Sequence, residues 1–176
     1  MIRPGCAVDL PRIAALHTAS WRDAYRGLLP DTYLDGPLSA AHRALWAEVP
    51  PGAILRVAVT DGDVAGFLLI RPEAPGGPLL DNLHVDPAVR GGGLGAALLL
   101  DGARALAAAG GRALWLEVLE GNTRARAFYR RFGGVEGPVF DDRVHGFAVP
   151  ARRVAWDDLG HIADTRKTAR PGGKSA

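Results

Sequence analysis

The chain has 176 residues, of which 48% are hydrophobic and 23% are charged, and this composition is typical of a globular protein with a sizeable core. Its single cysteine excludes an internal disulfide and a cysteine-based metal cluster, and a formal net charge of +2 does not predict the basic stripe of a nucleic-acid binder. No apolar run reaches the roughly 18 residues of a membrane helix, and the first residues lack the build of a signal peptide, so we expect a cytoplasmic protein that binds neither membrane nor nucleic acid.

The N-terminal region is predicted to be helical. Residues 9–25 show helical periodicity, an aspartate can cap the start of this segment, and Pro11 suits its first turn. A second helix is expected over 31–48, although the pair Gly36 and Pro37 favours a break within it.

The rest of the chain is predicted to combine strands and helices. Strands over 54–60 and 64–70 are joined by an Asp-Gly turn and form a hairpin. The later elements are predicted to be strands over 79–85 and 113–119, helices over 93–109 and 123–132, and an antiparallel pair over 135–140 and 146–156. This order predicts a mixed α/β fold in a single domain over 1–156, with a mobile tail over 157–176.

The strongest chemical signal is a glycine-rich segment between a predicted strand and a predicted helix. Arg90 is followed by three successive glycines, with a further glycine at 95. Glycines allow backbone N–H groups to turn toward one point, and the following helix directs its positive end to the same point, so the segment is predicted to bind phosphate. The absence of Gly-Lys-Ser/Thr excludes a Walker loop, and the preceding hairpin argues against a dinucleotide-binding fold. A simple helix-capping turn remains an alternative.

Two motifs resemble those of the GNAT superfamily of N-acetyltransferases. The Arg-x-x-Gly-x-Gly-Ala sequence at 90–96 is similar to the acyl-CoA pyrophosphate motif of that family. Residues 122–133 resemble its second motif on the CoA side, with Gly134 in place of the usual aromatic residue. Within the family, residues 113–129 look most like the ribosomal-protein N-terminal acetyltransferases, whereas the N-terminal helices do not.

The resemblance implies both a fold and a reaction. The fold would be a splayed, mostly antiparallel mixed sheet of about seven strands flanked by about four helices. The reaction would be direct transfer of an acetyl group from acetyl-CoA to a primary amine of a small molecule or peptide, without a metal. The residues implied to bind acetyl-CoA are Leu83, Val85, Arg90, Gly91, Gly92, Gly93, Leu94, Gly95, Ala96, Asn122 and Tyr129.

Glu117 and Tyr129 are the candidate catalytic residues. In the subgroup that residues 113–129 resemble, the matching Glu is the base and the matching Tyr is the acid. Glu117 lies among apolar residues, where desolvation would raise its pKa and suit it to accept the proton of the amine. The alternatives are that an arginine pairs with Glu117, that Asp81 or a water is the base, and that Tyr129 belongs to the core.

The first helix carries the candidate acceptor-binding residues. His17, Trp21 and Tyr25 lie on one i, i+4 stripe, which the resemblance places beside the acceptor, and aromatic rings suit a cation or a flat group. Ordinary core packing is the alternative and is slightly favoured, because an amphipathic stripe usually faces the core. His84 is expected to be structural, and Ser20 has no evident catalytic partner.

Two functions outside catalysis remain open from the sequence. A non-catalytic acyl-CoA binding or sensing module would keep residues 90–95 but would not need Glu117 or Tyr129. A nucleotide-phosphate binding module would need the glycine-rich segment alone. The acceptor amine is not identified, and the final strands could pair two copies of the chain in a homodimer.

Overall fold

A seven-stranded mixed sheet organises residues 1–164, which are the part of the chain that the computed structural model describes. Its strands are β1 (Ile2–Pro4), β2 (Ile54–Thr60), β3 (Asp63–Arg71), β4 (Leu79–Val85), β5 (Leu114–Leu119), β6 (Val135–Val144) and β7 (Phe147–Trp156). The helices are α1 (Leu10–Tyr25), α2 (Asp31–Asp35), α3 (Leu38–Leu45), α4 (Leu94–Ala108), α5 (Thr123–Arg131) and α6 (Gly160–Asp164).

The sheet is mostly antiparallel, as the sequence predicted. The spatial order of its strands is β1-β2-β3-β4-β5-β7-β6, and only the central pair β4 and β5 is parallel. The predicted hairpin connects β2 to β3, and Asp61 and Gly62 in its turn both have positive φ angles, which two-residue hairpin turns of the primed type require.

Helices cover both faces of the sheet. Helix α4 packs against β2 and β3 with a buried face that includes Leu98 and Leu106. Gly102 allows this close approach, because a Cβ atom there would lie 2.6 Å from the side chain of Leu68. Helices α1 and α3 cover the opposite face, so both layers of the core are built on β3, whose interior residues are buried throughout.

Two helices, α2 and α3, occupy the segment that is expected to be helical over 31–48, and they are separated at Gly36 and Pro37, where the sequence favours a break. Proline lacks the N–H group that would continue the first helix, so the break has a local cause. Strand β1 was not predicted, because three residues are too few to show a period of two, and it forms only by pairing with β2.

The expectation of a mobile tail beginning at residue 157 is wrong for residues 157–164. Helix α6 lies in this segment, Leu159 and Ile162 are buried, and the Leu159 N–H donates to the Arg112 carbonyl at 3.0 Å. The helical signal in this segment is weak, because two apolar residues do not establish a helical period. The remainder of the expected tail, 165–176, lies outside the described residues.

Candidate active site

The glycine-rich segment forms the loop that connects β4 to α4. Gly91 and Gly93 have φ angles of 90° and 78°, a region where most side chains are strained, so the loop depends on glycine at both positions. No side chain caps α4, and the N–H groups of its first turn have no partner within the helix. The loop residues that line the adjoining cleft are Gly91, Gly93, Leu94, Gly95 and Ala96, whereas Gly92 lies outside this lining. Free N–H groups at a helix N-terminus fit a phosphate group.

Strands β4 and β5 diverge immediately after they meet. Leu79 and Trp115 are their single pair in parallel register, so the backbone edge of β4 that faces β5 is open beyond this point. The register between β3 and β4 also shifts between Leu69 and Ile70, and this bulge leaves Asp81 without a partner on β3. Bulges commonly re-aim a side chain beside a functional site, and Asp81 here lines the space between the splayed strands.

The splay produces a cleft of about 460 Å³. Leu83 and Val85 line it from the open edge of β4, and Asn122 and Tyr129 line it from the opposite side. Asn122 also caps α5, since its Oδ1 accepts a hydrogen bond from the Ala125 N–H at 3.2 Å. An open strand edge can hydrogen-bond an extended ligand as an added strand would, so the cleft can hold a long amide-containing molecule with its phosphates at the glycine loop.

Arg90 lines the cleft, but its guanidinium is engaged within the protein. It forms an ion pair with Asp23 of α1 and donates to the Val85 carbonyl at 3.3 Å. Arg124 donates to the same Asp23 carboxylate at 2.9 Å. Asp23 therefore gathers two arginines beside the loop, and a phosphate at the loop would compete with this carboxylate for them. The sequence analysis did not single out Asp23 or Arg124, because the ion pairs join residues that are far apart along the chain.

A second cavity of about 220 Å³ adjoins the first at Glu117. The two cavities share Tyr25, Asp81 and Glu117, so they form two ends of one cleft. We call the end beside the glycine loop the donor end, and the second cavity the acceptor end.

Glu117 projects from β5 at the junction of the two ends. Desolvation by the surrounding protein and the nearby carboxylate of Asp142 raise its pKa, while Arg153 opposes the shift. No residue within 1–164 forms an ion pair with Glu117, so the alternative of a carboxylate paired with an arginine does not hold for the described residues. A carboxylate that forms no ion pair and has a raised pKa is a stronger base than an ordinary surface glutamate.

Tyr129 lines the donor end from α5 and is almost fully buried. Burial raises the pKa of its hydroxyl above the ordinary value, so the phenol remains protonated. Its ring packs edge-on against Trp156. Tyr129 thus combines a fixed core position with a hydroxyl that can donate a hydrogen bond at the cleft.

The charged side chains that line the acceptor end are all acidic: Asp81, Glu117 and Asp142. Among residues 1–164, none of these carboxylates has an ion-pair partner. Desolvation raises the pKa of Asp81, with Arg71 opposing the shift. Trp21 and Tyr25 form an aromatic wall of the same cavity. Sequence reasoning missed Asp142, which reaches the cavity from β6.

The prediction that His17 contacts the acceptor is wrong. His17 is 2% exposed, stacks on His42 with ring centroids 3.8 Å apart, and accepts a hydrogen bond from the Trp46 indole at 3.0 Å. It lines neither end of the cleft and belongs to the core between α1, α3 and the sheet. Trp21 and Tyr25, one and two turns further along the stripe, do line the acceptor end. The i, i+4 stripe therefore passes from the core into the cleft.

His84 has a hydrogen-bond partner that the sequence did not reveal. Its Nδ1 lies 2.9 Å from Ser20 Oγ of α1, and both residues line the donor end. Burial lowers the pKa of His84 to about 3, so the imidazole is neutral at physiological pH. The pair joins α1 to β4, which supports the expectation that His84 has a structural role.

Neither a metal site nor a membrane span is found in the described part of the chain. Residues 1–164 contain no group of three or more metal-ligating side chains placed to hold an ion. None of the helices in this range has the length and apolar character needed to cross a membrane.

The fold matches that of solved N-acetyltransferases. A GCN5-related N-acetyltransferase from Rhodopseudomonas palustris superimposes with a TM-score of 0.73 at 21% identity, over 88% of this chain and 93% of that chain. The PaiA N-acetyltransferase from Thermoplasma acidophilum, solved in complex with coenzyme A, gives a TM-score of 0.69 at 19% identity, over 86% and 96%. At these identities the likeness shows the fold.

The sequence places the chain in a family. The model of the acetyltransferase (GNAT) family matches residues 13–134, which run from α1 through the glycine loop to the end of α5. The chain therefore belongs to the GNAT family, and the resemblance inferred from the two motifs is confirmed. The peptidyl-lysine N-acetyltransferase YjaB of Salmonella typhimurium is 42% identical over 101 residues, which are 54% of this chain. The matched region spans 63% of the length of that curated relative.

Proposed function

We propose that the chain is an N-acetyltransferase that transfers an acetyl group directly from acetyl-CoA to the primary amine of a cationic acceptor, and that the acceptor is a lysine side chain. The observation that carries this proposal is the junction at Glu117. There, a cleft that fits a phosphate-bearing donor meets an acidic, aromatic-walled cavity.

The donor end supports acetyl-CoA as the acyl donor. The free N–H groups at the start of α4 suit the pyrophosphate, and the open edge of β4 at Leu83 and Val85 suits the pantetheine amides. Arg90 and Arg124 can add positive charge once they exchange Asp23 for phosphate. The PaiA enzyme, which shares the fold, was solved with coenzyme A.

The acceptor end supports a cationic amine. A primary amine is protonated at neutral pH, and three unpaired carboxylates attract the ammonium group while the rings of Trp21 and Tyr25 offer cation–π contacts. A lysine side chain has the slender aliphatic stem that a narrow cavity can accept. The name of the YjaB relative specifies peptidyl-lysine as its acceptor, which favours the same class here.

The residues at the junction can perform a direct transfer. Glu117 takes one proton from the ammonium group, directly or through a water, and the neutral nitrogen attacks the thioester carbonyl. The new C–N bond forms, the C–S bond breaks, and the second nitrogen proton is lost as the amide forms. Tyr129 donates a hydrogen bond or a proton to the departing sulfur. Cys6 is 111 residues from Glu117 in sequence, is exposed and lies outside the cleft lining, so we expect no acetyl-enzyme intermediate.

Thiol release from acetyl-CoA in the presence of defined peptides tests this proposal. The panel contains an Nα-acetylated peptide with one central lysine flanked by arginines, the same peptide with glutamates as flanks, a lysine-to-arginine control, and a peptide with a free N-terminal alanine. We expect thiol release and acetylation of the lysine Nε, with a lower KM for the arginine-flanked peptide. The arginine control should be inert.

Three results would contradict parts of the proposal. If acetyl-CoA raises Tm but no amine releases thiol, the chain is a binding module and not an enzyme. Acetylation of the N-terminal alanine alone would show that the acceptor class is wrong. A preference for glutamate flanks would show that the acidic cavity does not receive the acceptor.

A further inference from the structure

Glu117 lies directly opposite a cation with which it does not pair. In the antiparallel register of β5 and β7, Glu117 is the partner of Arg153, so the two side chains project from the same face of the sheet. Directly opposed residues of opposite charge usually interact, because their Cβ atoms are only about 4.5–5.5 Å apart. Both residues lie within the described range 1–164, and no ion pair joins them. The reason lies two positions before Glu117, on the same face of β5.

The Arg153 guanidinium stacks instead on Trp115. Its carbon Cζ lies 3.8 Å from the centroid of the Trp115 ring system, which is close contact for a cation–π interaction. The indole is itself held in place, since its Nε1 donates to the Gly77 carbonyl at 3.1 Å. A Cβ atom at Gly76 would lie 3.8 Å from both the indole and an Arg153 nitrogen, so this loop packs against the stack. Arg153 is therefore held between Trp115 and the loop before β4.

We propose that Trp115 is a positioning residue, which holds the Arg153 guanidinium away from Glu117 and so keeps the Glu117 carboxylate free to accept the proton of the acceptor amine. This inference rests on the proposed role of Glu117 as the base. Trp115 and Arg153 line neither end of the cleft, so their effect on the reaction passes through Glu117 and not through contact with either substrate.

The charges around Glu117 give Arg153 a specific effect. Arg153 acts to lower the pKa of Glu117, whereas Asp142 acts to raise it. An ion pair between Arg153 and Glu117 would lower the pKa further and make the carboxylate a weaker base. The other titratable side chains that share the acceptor lining with Glu117 are His84 and Asp81 on β4, Tyr25 on α1 and Asp142 on β6. None of these is a cation at neutral pH, because the pKa of His84 is lowered to about 3. The donor lining adds Tyr129 and three cations, Arg90, Arg124 and Arg131, but Arg153 is the cation that lowers the pKa of Glu117.

The test is the pH dependence of kcat/KM for four variants of the full chain. Trp115→Leu releases Arg153, so the acidic limb should move to lower pH by about half a unit, and the plateau rate should fall. Arg153→Met removes the cation, so the limb should move to higher pH. The double variant should follow Arg153→Met, because no arginine remains to be released. Trp115→Phe keeps a ring for the stack and should keep the limb at the wild-type pH.

Each result has one meaning. If Trp115 is merely structural, Trp115→Leu should lower Tm or the rate without moving the acidic limb of the pH profile. Trp115→Leu should then have the same effect in the Arg153→Met background as in wild type. Either result overturns the inference. The Glu117→Gln variant tests the role of Glu117 as the base independently of the role of Trp115. If Glu117→Gln removes the acidic limb but Trp115→Leu leaves it in place, the positioning role of Trp115 is wrong, whereas the role of Glu117 as the base is supported. If Glu117→Gln retains the acidic limb, both the positioning role of Trp115 and the role of Glu117 as the base are wrong.

Discussion

The two ends of the cleft differ in charge and in how the chain builds them. The donor end is lined by backbone N–H groups of the glycine loop and by three arginines, Arg90, Arg124 and Arg131. The acceptor end has carboxylates as its only charged lining within residues 1–164, together with two aromatic rings. Glu117 and Asp81 belong to both linings. Opposite charges at the two ends suit a donor that carries phosphates and an acceptor that carries an ammonium group, and they discourage either substrate from entering the wrong end.

The ends also differ in their origin along the chain. One side of the donor end is a continuous segment, because a strand, a glycine loop and a helix follow one another from β4 to α4, while α1, β5 and α5 complete the lining. The acceptor end collects side chains from α1, β4, β5 and β6. Disturbing the donor end should therefore abolish binding of one ligand, whereas disturbing the acceptor end should change rate or acceptor choice while acetyl-CoA still binds.

The largest effect is expected at Gly93. The Gly93→Asp substitution places a carboxylate where the proposed phosphates bind, and like charges in such a site cost several kcal/mol, so acetyl-CoA affinity should fall by roughly 10²–10³-fold. The measurement is the rise of Tm with acetyl-CoA concentration.

A matched variant separates charge from backbone strain at this position. Gly93 has φ +78°, a region that Asn and Asp tolerate better than most residues. Gly93→Asn has nearly the same shape without the charge and should retain most of the affinity. Equal loss in both variants would show that loop conformation and not charge decides binding, and normal binding in Gly93→Asp would remove the loop from the site.

A smaller effect is expected at Tyr129. The Tyr129→Phe substitution keeps the buried ring and removes the hydroxyl, so kcat should fall by about 10²-fold while Tm and acetyl-CoA affinity change little. Because the raised pKa keeps this hydroxyl protonated, the acidic limb of the pH profile should not move. An unchanged rate constant for acetyl transfer in single-turnover measurements would show that Tyr129 is only a core residue.

The smallest effect is expected at Asp142. The Asp142→Asn substitution removes one of three carboxylates at the acceptor end, so the KM for a lysine peptide should rise about threefold to fivefold with acetyl-CoA affinity unchanged. Asp141→Asn is the control, because this neighbour on β6 does not line the cleft. An equal rise of KM in the two variants would point to general surface charge. An unchanged KM in both variants would show that Asp142 does not contribute to binding of the acceptor.

The contrast between the two ends also explains how much of the site the sequence revealed. The glycine loop was predictable because its chemistry follows from adjacent residues: glycines, a preceding strand and a helix N-terminus. The sheet and most of its strands followed from alternation and turn residues in the same way. The Asn122 cap of α5 is equally local, since its Oδ1 accepts a hydrogen bond from the N–H of Ala125, three residues further on.

The acceptor end was less predictable, because its members meet only after folding. Asp142 lies 25 positions after Glu117 in the sequence, and no local pattern connects them. His17 shares its stripe with Trp21 and Tyr25, yet a helical stripe does not show where the core stops and the cleft begins. The burial of Leu159 and Ile162 is not predictable from the sequence, because two apolar residues do not reveal that their segment packs against the core.

The central claim is that Glu117 is the base at the junction of the two ends, and Glu117→Gln tests it most directly. The pH profile of kcat for a lysine peptide should be measured for wild type and variant, with acetyl-CoA affinity from the Tm shift in the same samples. We expect kcat to fall by about 10²–10⁴-fold, the acidic limb to disappear and acetyl-CoA affinity to be retained, because the amide cannot accept the proton but keeps the shape. Full activity with an unchanged acidic limb would contradict the account, and loss of the limb in Asp81→Asn instead would place the base on β4.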